Sequence, residues 1–111
     1  MKQNLEIKSQ VKQILKIIEE IAPGRSVELR IPPYAAIQCV AGSAHRRGTP
    51  SNVVEMSAQT LLRLSKSPQN WDQLCAEGEI SASGTNSNIA ELFNRVSKLI
   101  SNFDEELNDG K

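Results

Sequence analysis

The hydrophobic period changes along this chain, and that change restricts the fold more than any other feature. Over residues 5–21 apolar side chains recur at spacings of three and four, as Ile7, Val11, Ile14, Ile18 and Ile21, with Leu15 and Ile17 flanking the stripe. Lys8, Lys12, Lys16 and Glu19 fall on the opposite side. This is the pattern of a helix with one buried face, and Pro23-Gly24 stops it. Residues 26–31 then alternate: Val27, Leu29 and Ile31 point one way, Glu28 and Arg30 the other, as in a half-buried strand. Pro32-Pro33 ends that strand because proline brings no N–H to the ladder. Tyr34 to Val40 reads as a second strand paired with the first across the Pro-Pro turn. Ala36, Gln38 and Val40 share one of its faces, and Ala35, Ile37 and Cys39 the other.

Beyond a Gly-, Ser- and Pro-containing loop at 41–51 (AGSAHRRGTPS), residues 52–56 (NVVEM) predict a short third strand. Ser57 is placed as the N-cap of a helix carrying Leu61, Leu62 and Leu64. Ser67-Pro68 is placed as N-cap and first residue of a short helix holding Trp71, Leu74 and Cys75, with Gly78 at its C-terminal cap. Residues 79–83 (EISAS) predict a fourth strand with small side chains, and Gly84 to Asn88 a turn. Asn88 with Glu91 resembles a capping box. It opens a last amphipathic helix with Ile89, Leu92, Phe93, Val96, Leu99, Ile100 and Phe103 on one side. The tail from Asp104 is polar and acidic and is expected to fray. With 111 residues, no repeat and no linker, residues 1–111 are read as one α+β domain large enough for a real core.

Composition removes several functions. Thirteen basic and thirteen acidic residues cancel, and aromatic content is 4%. A dedicated nucleic-acid binder would be basic, and one that reads bases by stacking would carry more rings. The opening MKQNLEIKSQVKQ has no unbroken apolar run of the signal-peptide kind, and no stretch approaches the roughly 18 apolar residues of a membrane span. The final NDGK is no peroxisomal or reticular address. The expected location is therefore the cytoplasm, where Cys39 and Cys75, far apart and in no CxxC pair, would be free thiols.

The densest polar segment, His45-Arg46-Arg47-Gly48-Thr49-Pro50 followed by Asn52 and Glu55, has two readings. It is an anion site, or it is a solvated turn whose arginines pair with carboxylates such as Glu28 or Glu55; the second is favoured. A Cys39–His45 nucleophile and base fits poorly, because a thiol inside an apolar strand is raised in pKa and inert. One histidine and two distant cysteines give no metal-ligand spacing, so neither metal nor cofactor is expected. Dinucleotide, Walker and nucleophile-elbow motifs are lacking. Ser83-Gly84-Thr85-Asn86 would suit a phosphate at a helix start but reads more simply as a turn. The lysine row on the first helix would suit a membrane surface, yet it lacks Trp and Phe and is diluted by Glu19 and Glu20. The final helix's apolar face suits either core or the wall of an oily cavity, and periodicity alone does not separate the two.

From Asn52 to Val96 the order is strand (NVVEM), helix (SAQTLLRLSKS), helix (SPQNWDQLCAEG), strand (EISASG) and helix (NIAELFNRV). This resembles the second half of the SCP-2 sterol-carrier domain, with Gly78 to Gly84 standing where that family has its G-x-I-x-x-x-G strand. The segments Arg30-Ile31-Pro32-Pro33-Tyr34-Ala35-Ala36-Ile37-Gln38 and Arg47-Gly48-Thr49-Pro50-Ser51-Asn52-Val53-Val54-Glu55 are more specific. They resemble the small bacterial SCP-2 orthologues, and with them the resemblance covers residues 5–103. It implies an SCP-2-like α+β fold: an antiparallel-rich twisted sheet with helices packed on one face and an apolar tunnel between the layers. It also implies binding or transfer of a lipid, fatty acyl or sterol-like molecule without catalysis. The expected apolar lining is Leu62, Trp71, Leu74, Leu92, Phe93 and Val96. Arg30, Gln38, His45, Arg47, Asn52 and Glu55 match the orthologues' polar positions, as a polar cluster that is either a site or internal hydrogen-bonded glue. The alternative function is a protein-interaction or accessory module with a filled core, docking on a partner or as a homodimer.

Overall fold

The computed structural model describes residues 4–42 and 52–109, with side chains through Asn102. The first helix, α1 (Leu5–Ile21), has the bounds its periodicity predicts. Asn4 caps it: Oδ1 accepts from the backbone N–H of Glu6 at 2.9 Å and of Ile7 at 3.2 Å, satisfying two of the donors that a helix start leaves free. The chain turns back at Gly24, where φ is +154° and an added Cβ would stand 2.1 Å from the carbonyl oxygen of Val40. Only glycine permits so close an approach of two backbones.

Four strands follow: β1 (Val27–Ile31), β2 (Ala35–Cys39), β3 (Asn52–Met56) and β4 (Ile80–Ser83). They form one sheet in the order β2-β1-β3-β4. β1 pairs antiparallel with β2 across the turn at Pro32–Tyr34, parallel with β3, and β3 pairs antiparallel with β4. The sheet is thus mixed, with antiparallel pairs in the majority. Register fixes which side chains share a face. Val27, Leu29 and Ile31 stand beside Cys39, Ile37 and Ala35 on one flank and beside Asn52 and Val54 on the other. That face carries the helices; the opposite face bears Glu28, Arg30, Gln38 and Glu55.

The remaining helices are α2 (Ala58–Lys66), α3 (Trp71–Ala76) and α4 (Ala90–Asp109). Ser57 caps α2 as predicted, its hydroxyl accepting from the N–H of Thr60 at 3.1 Å. Ser67 and Pro68 take the predicted N-cap and first positions, but of a 3-10 turn that leads into α3 rather than of α3 itself. That turn is Pro68–Asn70, and Ser67 makes no side-chain cap hydrogen bond. Gly78 does close α3, with φ +79° and its N–H on Cys75 O at 3.1 Å. Asn88 accepts from Ala90 N at 3.0 Å, but Glu91 does not complete the box; it accepts instead from Asn94 Nδ2 at 3.0 Å. Helical backbone continues past Phe103 to Asp109, and no glycine or proline interrupts the sequence before Gly110.

The core is one contiguous cluster between sheet and helices. Phe93, Leu61, Leu64, Leu74 and Val96 are essentially fully buried within it, against Leu29, Ile31 and Val54 of the sheet. Trp71 and Phe93 pack with ring centroids 6.2 Å apart, tilted by 30°, within the range of a favourable aromatic pair. Every buried side-chain nitrogen or oxygen among the described residues has a hydrogen-bond partner.

Candidate functional site

Helices α1, α2 and α4 do not close against one another along their whole length. Between them runs an open groove of about 800 Å³, at the upper end of the usual range for a small-molecule site. Its lining is mostly aliphatic by surface, from Ile14, Ile17 and Ile21 of α1, Leu62 of α2, and Leu99 and Ile100 of α4, with Gln10, Gln13 and Ser65 among them. Lys16, Glu20 and Lys66 stand at its rim.

The local sequence explains why the groove stays open. On α1 the fully inward column is Val11, Ile14, Leu15 and Ile18; Ile17 and Ile21 lie on its flank and remain half-buried. On α2, Leu61 and Leu64 point into the core while Leu62, between them, turns toward α1. Leu99 is 45% exposed. Each helix therefore carries more apolar width than its packing consumes. Arg95 of α4 ties the end of the groove by donating from Nη2 to the carbonyl of Ile21 at 3.0 Å, where the last turn of α1 needs a donor.

The residues expected to line an interior tunnel divide. Trp71, Leu74, Leu92, Phe93 and Val96 belong to the packed core cluster, each at most 6% exposed. Leu62 alone of the six lies on the groove wall. The groove's other aliphatic walls are Ile14, Ile17 and Ile21 of α1, outside the expected lining, and Leu99 and Ile100 on the apolar face of α4. The sequence signal for them was the excess width of the stripes on α1 and α4.

The polar residues divide too. Arg30, Gln38 and Glu55 lie on the open face of the sheet. Arg30 Nε pairs with the Glu28 carboxylate, Gln38 accepts from Arg25 Nε at 3.1 Å, and Arg30 stands in register with Glu55. Asn52 sits on the helix-covered face, 2% exposed. Its Nδ2 donates to Ser26 O and its Oδ1 accepts from Asn86 N, both at 2.9 Å. It joins the start of β3 to the end of the α1–β1 link and to the turn before α4, which is the work of internal glue. His45 and Arg47 lie outside the described residues.

Cys39 is fully buried, and burial, helped by Glu19, pushes its thiol from the usual 9.0 to about 11. Burial and the nearby Asp72 raise Cys75 as well. Both cysteines are free. A thiol held protonated is a poor nucleophile, as expected for a side chain that fills space. The described residues hold no cluster of His, Cys, Asp or Glu able to bind a metal, and no helix among them is long and apolar enough to cross a membrane.

The sequence matches the model of a family described as bacterial SCP ortholog over residues 3–94. Among solved structures, one titled UbiJ-SCP2 Ubiquinone synthesis protein aligns over 86% of this chain and 95% of its own, at 14% identity and a TM-score of 0.49. No curated protein matches the chain.

Proposed function

The chain belongs to the bacterial SCP ortholog family, and from that premise we propose that it is a non-catalytic binder of an apolar ligand, a lipid, fatty acyl or sterol-like molecule. The observation that carries this reading is the aliphatic groove between α1, α2 and α4. The guest is held there rather than between helices and sheet, where the protein's own side chains fill the space. The mechanism is differential burial: each methylene removed from water contributes roughly 0.8 kcal/mol when fully covered, and about half that against one wall of an open groove. No proton transfer or bond cleavage is asked of the site. A cytoplasmic setting belongs to the same reading, supported by two free thiols that a reducing compartment would preserve.

The reading is tested with a series of saturated fatty acids of increasing length. Affinity should rise about two- to fourfold per added CH2, following the burial term. The variant Leu62→Asp, which places a charge on the groove wall, should lose that dependence while keeping its helical circular dichroism. Native mass spectrometry of gently purified protein should show a retained lipid. A clean ligand-free mass together with no binding of any chain length would overturn the proposal.

A further inference from the structure

The charges of this neutral chain are segregated. Residues 5–16, the first three turns of α1, carry Lys8, Lys12 and Lys16 against Glu6, a surplus of two positive charges that Glu19 and Glu20 in the last turns offset over the whole helix. Residues 103–111 carry Asp104, Glu105, Glu106 and Asp109 against Lys111, a surplus of three negative charges. Lys16, Lys66 and Glu20 flank the groove and Lys12 lies one turn along α1, three cations against one carboxylate; all four are exposed.

The acidic segment also has an apolar spacing. Phe93, Val96, Ile100, Phe103 and Leu107 are separated by three, four, three and four residues, the heptad rhythm of one helix packed against another. Phe93 and Val96 spend that rhythm in the core, and Ile100 reaches the groove. α4 then continues to Asp109. At 1.5 Å per residue its 20 residues span about 30 Å, in a molecule elongated to 52 Å along one axis and 33 Å along the next. A straight helix cannot fold back onto the groove that its own middle helps to form.

We propose that the groove between α1, α2 and α4 receives the C-terminal end of α4 from a second copy of this chain, reciprocally, in a two-fold dimer. The heptad positions 103 and 107 would meet the aliphatic walls formed by Ile17, Leu62 and Leu99, and the acidic positions beside them would meet Lys12, Lys16 and Lys66. Such an arrangement is self-complementary, each copy giving one end and receiving the other, as a closed two-fold interface requires. The segregated charges favour a second copy over an anionic membrane, which the acidic end would repel. A helix face and an acyl chain are alternative fillings of one groove, so a saturating guest releases the second copy. The dimer itself is measured without lipid, so its failure leaves the ligand reading standing, and the reverse.

The experiment is sedimentation equilibrium of the full-length, delipidated chain. At about 0.05 M salt, where screening is weak, the expected mass is twice 12.2 kDa. At about 1 M salt, with a Debye length near 3 Å, the dimer should weaken at least tenfold. Lys12→Glu with Lys16→Glu should weaken it by roughly tenfold or more. Adding Glu105→Lys and Glu106→Lys to the same chain should restore it, which a loss of folding could not mimic. Phe103→Asp with Leu107→Asp should give a folded monomer. A wild type that is monomeric at low salt overturns the proposal, and so does a dimer indifferent to the tail substitutions or a charge swap that fails to rescue. A monomer that instead pellets with anionic phospholipid vesicles would overturn it and give the face to a membrane.

Discussion

Asn52 offers the sharpest test of whether a polar residue here holds the fold together or serves a ligand. It is 2% exposed, and both ends of its amide are used at 2.9 Å, by Ser26 O and Asn86 N. Asn52→Ala removes both partners at once. Ser26 is buried, so its carbonyl would be left unpaired at a cost of about 1–3 kcal/mol. Asn86 is exposed, and its N–H recovers water, so that bond costs about 1 kcal/mol. The sum is about 2–4 kcal/mol, or a fall in Tm of roughly 8–16 °C for a domain of this size. Asn52→Asp adds a sign. A carboxylate cannot donate to Ser26 O, whereas a carboxylic acid can, and burial also favours the neutral acid, so the introduced group has a folded pKa above its unfolded value near 4. The folded state then binds the extra proton, and stability relative to wild type is highest below pH 4 and declines as pH rises toward the raised folded pKa. Thermal unfolding followed by circular dichroism at pH 4 and pH 7 reads both effects. If Asn52→Ala melts within about 2 °C of wild type, or Asn52→Asp shows the same deficit at both pH values, the internal hydrogen-bond assignment is wrong.

Other outcomes follow from the same packing and charge placement. Phe93→Ala empties a fully buried site against Trp71 and should cost about 3–5 kcal/mol in denaturant unfolding. Arg30→Ala breaks an ion pair on the solvated sheet face and should shift stability by less than about 1 kcal/mol; a larger effect would mean that this face is covered in the working protein. Gly24→Ala should be strongly destabilising, because its Cβ meets backbone rather than a side chain able to move. Because the Cys39 thiol is lifted from 9.0 to about 11, the folded state holds its proton longer than the unfolded one. That contribution is whole below pH 9 and is lost as pH climbs toward 11, so Cys39→Ser should flatten the alkaline limb of a stability–pH curve. In alkylation at neutral pH, the half-buried Cys75 should react before Cys39.

The sequence alone was enough to determine the elements and their faces. α1 was legible to the residue, because a heptad column ended by Pro23-Gly24 leaves few alternatives; the Asn4 cap at its start came from the structure. The β1–β2 pairing followed from alternation broken by two prolines, and the sets that share the helix-covered face, Val27-Leu29-Ile31 and Ala35-Ile37-Cys39, followed from a period of two. These are local facts, and local sterics and amphipathicity decide them. The packing of the layers was not legible. Whether Phe93 and Trp71 line a void or fill it depends on what stands opposite, and only the tertiary structure brings Leu61, Leu64 and Val96 there. The polar cluster divided in part for a similar reason. Asn52 was grouped with Arg30 and Glu55 by the orthologues' polar pattern, and the period of two in β3 already sets it on the face opposite Glu55; only the tertiary structure shows its amide spent on Ser26 O and Asn86 N. The groove arose between helices distant in sequence. It exists because the stripes on α1, α2 and α4 are each wider than their mutual contact, and how far helices close is set by packing rather than by composition.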